Sequence, residues 1–170
     1  LPEGWLTGVA TAVKLTPAVI AAYNFFAGKR KAGIVSFLTF LACTAVGFVV
    51  LWGPSVTYWG RLLSGDSGLN SGIVFKTNQS VLGVWTRLFG EASRGGLVLA
   101  ALVAVLGIVA AVLMHRAGEV SYALCLAGIT SLLASPISWS HHYVWIVPFG
   151  VVLLLNQRLP DYLRVSGLFY

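Results

Sequence analysis

Acidic side chains are almost missing from this chain. Its 170 residues hold five Asp and Glu against eleven Lys and Arg, and only 9% of positions are charged. A soluble domain carries roughly 25% charged residues, so this scarcity excludes an ordinary water-covered surface. The five carboxylates, Glu3, Asp66, Glu91, Glu119 and Asp161, are scattered, and none forms an acid/base pair in sequence. Only two cysteines occur. Cys43 and Cys125 both fall inside apolar runs, where they read as small buried hydrophobes rather than as a disulfide or metal pair, and the redox compartment is not readable from them. The net charge of +6 does not point to nucleic acid, because the cations stand mostly between apolar segments, where membrane orientation explains them. The opening Leu1-Pro2-Glu3-Gly4 has neither Met nor a basic stretch ahead of a short apolar core, and the closing LPDYLRVSGLFY reads as the approach to another apolar segment. The chain is therefore expected to be a piece of a longer protein.

What is present in abundance is apolar: 58% of residues are hydrophobic, which marks an all-α integral membrane protein. About 20 apolar residues cross a bilayer as a helix. Five stretches approach that length: 5–27, 32–52, 96–114, 119–134 and 143–156. About 14 residues rise only some 21 Å, so the last must tilt little, begin inside the preceding polar stretch, or continue past Gln157. Lys29, Arg30 and Lys31 separate the first two runs, and His115 and Arg116 the next pair, while the hairpin 135–142 has no Lys or Arg. The positive-inside rule then places the basic turns in the cytoplasm. The N-terminus, the loop 53–95 and the hairpin 135–142 fall on the extracytoplasmic side. Trp5, Trp52, Trp59, Trp85, Trp139 and Trp145 all lie on or near that outer side in this scheme.

The loop 53–95 opens with GPSVTYWGRLL, where Pro54 is expected to end a helix and Tyr58 and Trp59 to lie at headgroup level. A Gly- and Ser-rich stretch follows, expected to be a flexible cover. In KTNQSVLGVWTRLFG, Val81, Trp85, Leu88 and Phe89 recur at helical spacing with Thr86 and Arg87 pointing elsewhere. This predicts a short interfacial helix, capped by Asn78 or Ser80.

Two places carry candidate chemistry. Lys14 is a cation inside the first apolar run, with Pro17 three residues on, which removes a backbone donor and kinks the helix there. Intramembrane lysines usually face a protein interior or an aqueous cavity. Lys14 either meets the phosphate of a lipid carrier or snorkels to a polar boundary. The second place is SPISWSHHYVW, 135–145, a polar and aromatic interruption between apolar runs. Its Ser138, Trp139, Ser140, His141 and His142 are candidate ligand contacts, and the two histidines can hydrogen-bond a phosphorylated or sugar ligand, or simply solvate the interface. Adjacent residues on a helix point about 100° apart, so one metal would not easily take both. Asn78, Gln79 and Ser80 form an N-glycosylation tripeptide, common by chance, and with Arg87 they also suit sugar hydroxyls.

GVATAVKLTP (8–17), PSVTYW (54–59), NQSVLGVWTRL (78–88) and SPISWSHHYVWIVP (135–148), in this order and with these separations, resemble glycosyltransferase family 87. Together they cover most of the chain. The resemblance implies an actinobacterial membrane α-1,2-mannosyltransferase within a larger GT-C type multi-helix bundle, with an extracytoplasmic active site. It implies a polyprenyl-phosphate-mannose donor, inversion, a glycolipid or lipoglycan acceptor, and no divalent metal or other cofactor. Lys14, His141 and His142 fit stabilisation of the departing phosphate, with Tyr58 and Trp59 as further substrate contacts. The carboxylate base, by the GT-C pattern, is expected upstream of Leu1, and Asp66 is not promoted to that role. Two other classes stay open on the residues alone: a transporter or channel segment with Lys14 and the histidines lining a polar path, and a non-catalytic membrane subunit. No inverted copy of the Lys-Pro segment, as a repeat transporter would carry, is visible.

Overall fold

A computed structural model describes residues 1–64, 73–90 and 94–156. The stretch around Asp66, together with Glu91 and Asp161, lies outside these described residues. Helices α1 (Trp5–Val13), α2 (Ala18–Phe26), α3 (Arg30–Val50), α4 (Trp52–Ser64), α5 (Val81–Phe89), α6 (Arg94–Arg116), α7 (Val120–Ala134) and α8 (Ile146–Leu155) follow in order. A 3-10 segment, Ser140–Trp145, leads into α8. The only β pairing among the described residues is one antiparallel bridge between Asn78 and Trp139.

Helices α3, with 21 residues, and α6, with 23, are long and apolar enough to cross a membrane; at 1.5 Å per residue both exceed a hydrocarbon core of about 30 Å. Neither contains proline, so every interior N–H keeps its i−4 partner, the condition for crossing lipid. Their outer faces are bare: Phe37, Leu38 and Val46 on α3, and Leu102, Val105 and Leu106 on α6, are each more than half exposed. Such faces belong against lipid or further protein, not water.

The run 5–27, expected as one span, is instead two nine-residue helices that double back. Lys14 closes α1 in an extended conformation, and Pro17, unable to donate an N–H, opens α2. Helix α1 runs parallel to α3: Ser36 Oγ donates to Gly4 O at 2.8 Å, and a Cβ on Gly8 would strike Ser36 O and Thr39. Helix α2 runs the other way, so that Gly33 meets Phe25, and Gly28 turns the chain into α3 at a φ of 100° open to glycine. Glu3 therefore stands 3.5 Å from Lys29. This corrects the expected orientation: the N-terminus, and Trp5 with it, sits beside the basic turn rather than across the membrane from it. Hydropathy counts apolar residues without registering the direction in which the chain carries them.

Helix α7 is the central element, burying Ala123, Ala127, Gly128, Thr130 and Ser131 among its neighbours. Small residues let α6 and α7 pack closely as an antiparallel pair, with Gly107 against Thr130 and Ala111 and Ala123 both fully covered. Tyr23 of α2 joins this core, and its hydroxyl meets His115 Nδ1 at 2.7 Å. Helix α8 returns along α7, its C-cap Asn156 donating to Glu119. Glu3, Lys29, His115, Glu119 and Asn156 thus mark one end of the molecule, and the 3-10 segment, α5 and the α3–α4 corner mark the other.

Candidate functional site

At that second end, a four-point clamp by Asn78 joins two segments far apart in sequence. Its side chain is fully buried. Nδ2 donates to Ile73 O and Pro136 O, each at 3.1 Å, while Oδ1 accepts from Ser80 N at 3.2 Å and Ser138 N at 2.9 Å. Main-chain bonds extend the junction: Gln79 N donates to Ser138 O at 2.7 Å and Ser140 N to Thr77 O at 3.1 Å. Ser80 Oγ donates to Pro136 O at 2.9 Å and accepts from Gly83 N at 3.0 Å, capping α5. Ser138 Oγ donates to Leu132 O at 2.7 Å, and Arg87 Nη1 reaches Phe75 O and Asn78 O. Asn78, Ser80 and Ser138, expected to meet a ligand, are therefore committed to protein partners and position the hairpin. Gln79 and Ser140 remain at the surface.

The helix predicted from Val81, Trp85, Leu88 and Phe89 forms with the Ser80 cap, but its covered face differs. Leu82, Gly83 and Thr86 are buried, whereas Leu88 and Phe89 are 71% and 62% exposed. Thr86 can be buried because its hydroxyl donates back to Leu82 O at 2.8 Å.

The clamped hairpin forms one wall of a cavity of about 960 Å³. Opposite are the α1–α2 break, with Lys14 and Thr16, and α4, with Tyr58 and Arg61; Ser135 and Trp139 complete the hairpin wall. Thr16 Oγ1 is buried with no hydrogen-bond partner among the described residues, a costly state for a hydroxyl unless something occupies it. Helix α4 occupies the stretch where Pro54 is expected to end a helix and a loop to begin. Pro54 falls in its first turn, where the missing N–H is harmless, and Trp59 packs back on Phe40 of α3, ring centroids 6.1 Å apart. Trp59 is thus a packing residue on the face away from the cavity, while Tyr58 lines it. Arg61 escaped the sequence reading, although Pro54, Thr57, Tyr58 and Arg61 follow the helical i, i+3, i+4, i+7 pattern that would have put it on the same face.

His141 and His142 flank this cavity rather than line it. Their rings lie 4.4 Å apart. His142 Nδ1 accepts from Trp139 N at 3.1 Å, which fixes the neutral tautomer with its proton on Nε2. Partial burial, then the nearby Lys14 cation, then His141 hold the His142 pKa below the ordinary histidine value, so at neutral pH it is an uncharged donor. The Lys14 contribution ties the two expected candidates together electrostatically. Chemically, the cavity offers two cations, two aromatic rings and a few hydroxyls on largely apolar walls, an arrangement for an anionic headgroup carried on a lipid. Among the described residues no cluster of three His, Cys, Asp or Glu side chains forms a metal-ligand set.

The model of glycosyltransferase family 87 matches residues 1–136. The chain is 34% identical over 161 residues to a polyprenol-phosphate-mannose-dependent alpha-(1-2)-phosphatidylinositol mannoside mannosyltransferase of Mycobacterium tuberculosis, covering 92% of this chain and 38% of that protein. It is 40% identical over 155 residues to a polyprenol-phosphate-mannose-dependent alpha-(1-2)-phosphatidylinositol pentamannoside mannosyltransferase of the same species, covering 89% and 36%. The counterpart of the latter in Mycolicibacterium smegmatis is 35% identical, covering 89% and 38%. The chain thus spans little more than a third of the length of these relatives. No solved structure matches it significantly. With the family model matching 136 of the 170 residues, this membrane chain belongs to glycosyltransferase family 87.

Proposed function

We propose that this chain contributes the donor-binding part of a polyprenyl-phosphate-mannose-dependent α-1,2-mannosyltransferase. The acceptor is a hydroxyl of a phosphatidylinositol mannoside or a related lipoglycan. The observation that carries this reading is the cavity in which Lys14 and Arg61 face apolar walls, in a family 87 chain whose relatives carry that activity in their names. In the reaction the acceptor oxygen bonds to the mannose anomeric carbon as the bond to the phosphate oxygen breaks, with inversion. The phosphate leaves on the lipid, and the acceptor proton passes to a carboxylate. Lys14 and Arg61 offset the charge gathering on the phosphate, where a largely apolar surround strengthens each contact. The Nε2–H of His142 is a further donor, and Tyr58 and Trp139 present rings to the sugar.

The base is assigned to a part of the full-length protein outside the described residues. Glu3 pairs with Lys29 and Glu119 accepts from Asn156, both at the end away from the cavity. Replacing His142 by Ala should lower mannosyl transfer by the full-length enzyme at least about tenfold, as loss of one phosphate donor does. Turnover within twofold of wild type would remove His142 from the site.

We assign the Lys29–His115 end to the cytoplasm by the positive-inside rule and the cavity to the extracytoplasmic side. Helices α3 and α6 are then spans of a larger GT-C type bundle, and the shorter α7 and the 3-10 segment with α8 run between the same two ends. The α1–α2 pair enters from the cytoplasmic side and turns near mid-membrane, since Lys14 lies nine residues, about 14 Å, along from Trp5. With a cysteine-free background, Glu3→Cys should resist an impermeant thiol reagent applied to intact cells, while Pro136→Cys should react. Labelling of Glu3→Cys before lysis would reverse this orientation.

A further inference from the structure

A second cavity, about 410 Å³, lies in the groove between α1, α2 and α3. It touches the first at Leu15, which lines both. The groove is lined by small residues, Ala18, Ala21 and Ala22 of α2 and Gly33 of α3, and by aromatic ones, Phe25 of α2 and Phe37 and Phe40 of α3. The two hydroxyls within it are already satisfied: Thr11 Oγ1 donates to Thr7 O at 2.7 Å, and Ser36 Oγ lies 2.8 Å from both Gly4 O and Ala32 O. Nothing polar in the groove asks for water or for a headgroup. It offers hydrocarbon contact alone, and its end meets the cationic cavity at the Lys14–Pro17 break.

We propose that this groove receives the isoprenoid tail of the lipid-phosphate donor, with the phosphate end held beyond Leu15 at Lys14. The inference rests on the proposed donor chemistry and assigns it a second, tail-binding subsite. Continuity decides the occupant. A headgroup bound against Lys14 must send its tail out through apolar surroundings, and this groove begins one residue away. A branched, flexible chain also fills an irregular channel of small and aromatic residues without leaving polar atoms unpaired, and tail contacts of this kind strengthen donor binding without touching the reacting bond. A helix from the remainder of the full-length protein is the competing occupant, because small residues also favour helix contact.

The test uses the full-length enzyme and two donors: a long-chain polyprenyl-phosphate-mannose and a water-soluble analogue bearing a single prenyl unit. Ala22→Phe fills the groove. It should raise KM for the long-chain donor at least about tenfold with kcat within about twofold, the pattern of lost uniform binding, and leave the single-prenyl kinetics unchanged. Equal losses with both donors, or an unchanged long-chain KM, would overturn the tail assignment. A measurement on the wild-type protein guards against misfolding of the variant: a benzophenone-bearing polyprenyl phosphate should crosslink within residues 11–40. Crosslinks confined to other segments overturn the groove, as does a cysteine crosslink joining Phe37→Cys to another helix of the full-length protein. Failure of the wild-type enzyme to transfer mannose from either donor would instead defeat the proposed function itself.

Discussion

Asn78→Ala should destabilise the full-length protein by about 4 kcal/mol, whereas Gln79→Ala one residue away should cost less than about 1 kcal/mol. The contrast follows from burial. Asn78 is wholly covered and serves two carbonyls and two amides on segments separated by about sixty residues. Truncation removes four hydrogen bonds in a site closed to water, with only Pro136 O keeping another partner among the described residues, Ser80 Oγ, at about 1 kcal/mol net for each lost bond, and leaves a void besides. The Gln79 side chain is at the surface with one bond, to Lys76 O at 2.7 Å, and water replaces it. Asn78→Asp is the sharper probe. It keeps the shape and the two accepted bonds, but turns a carboxylate oxygen toward the carbonyls of Ile73 and Pro136. Its loss should therefore be comparable to that of Asn78→Ala. Thermal unfolding of the purified protein, with proteolysis around the 136–142 hairpin as a local readout, measures the effect. Stability within about 1 kcal/mol of wild type for both variants would mean that the clamp is dispensable.

The same residue illustrates what a sequence discloses. Asn78 and Ser80 stand out from the chain, and either of them ahead of the Val81–Phe89 spacing predicts a capped helix, which forms with Ser80 as the cap, because caps and helical periodicity are local. The role of Asn78 is not local. An amide next to aromatic residues reads as a sugar contact until Pro136 and Ser138, its distant partners, are known. Likewise Lys14 and Pro17 announce a break in an apolar run, but the reversal of α1 against α2 depends on small-residue contacts with α3 at Gly4, Gly8 and Gly33, which hydropathy does not see. The link from Lys14 to the SWSHH hairpin is legible only as two polar interruptions. The wall between them, α4 with Arg61, is hidden in the sequence because Pro54 reads as the end of a helix although it sits in the first turn of one. Cys125 is buried, as its apolar setting indicates, whereas Cys43 on α3 is only partly covered.

Lys14→Met should lower kcat/KM for the lipid donor about a hundredfold, near 2.7 kcal/mol in transition-state terms, with the acceptor KM changed far less. The methionine keeps the stem and removes the cation. In the proposed site Arg61 is then the remaining cation beside the His142 donor, and an anion amid largely apolar walls loses a charge-assisted contact with little water to replace it. Lys14→Arg should retain most of the activity. A second readout separates this electrostatic role from simple packing. Lys14 helps to hold the His142 pKa below the ordinary histidine value, so removing its charge raises that pKa. Protonation of His142 places a hydrogen on Nδ1 and breaks the bond from Trp139 N, so activity should fall as pH drops through the His142 pKa. In Lys14→Met the fall should begin at a higher pH than in wild type, and in Lys14→Arg it should not move. A hundredfold loss with an unmoved acid limb would make Lys14 a phosphate contact with no reach to the hairpin. Unchanged donor kinetics would make it a snorkelling lysine and leave the cavity without its first cation.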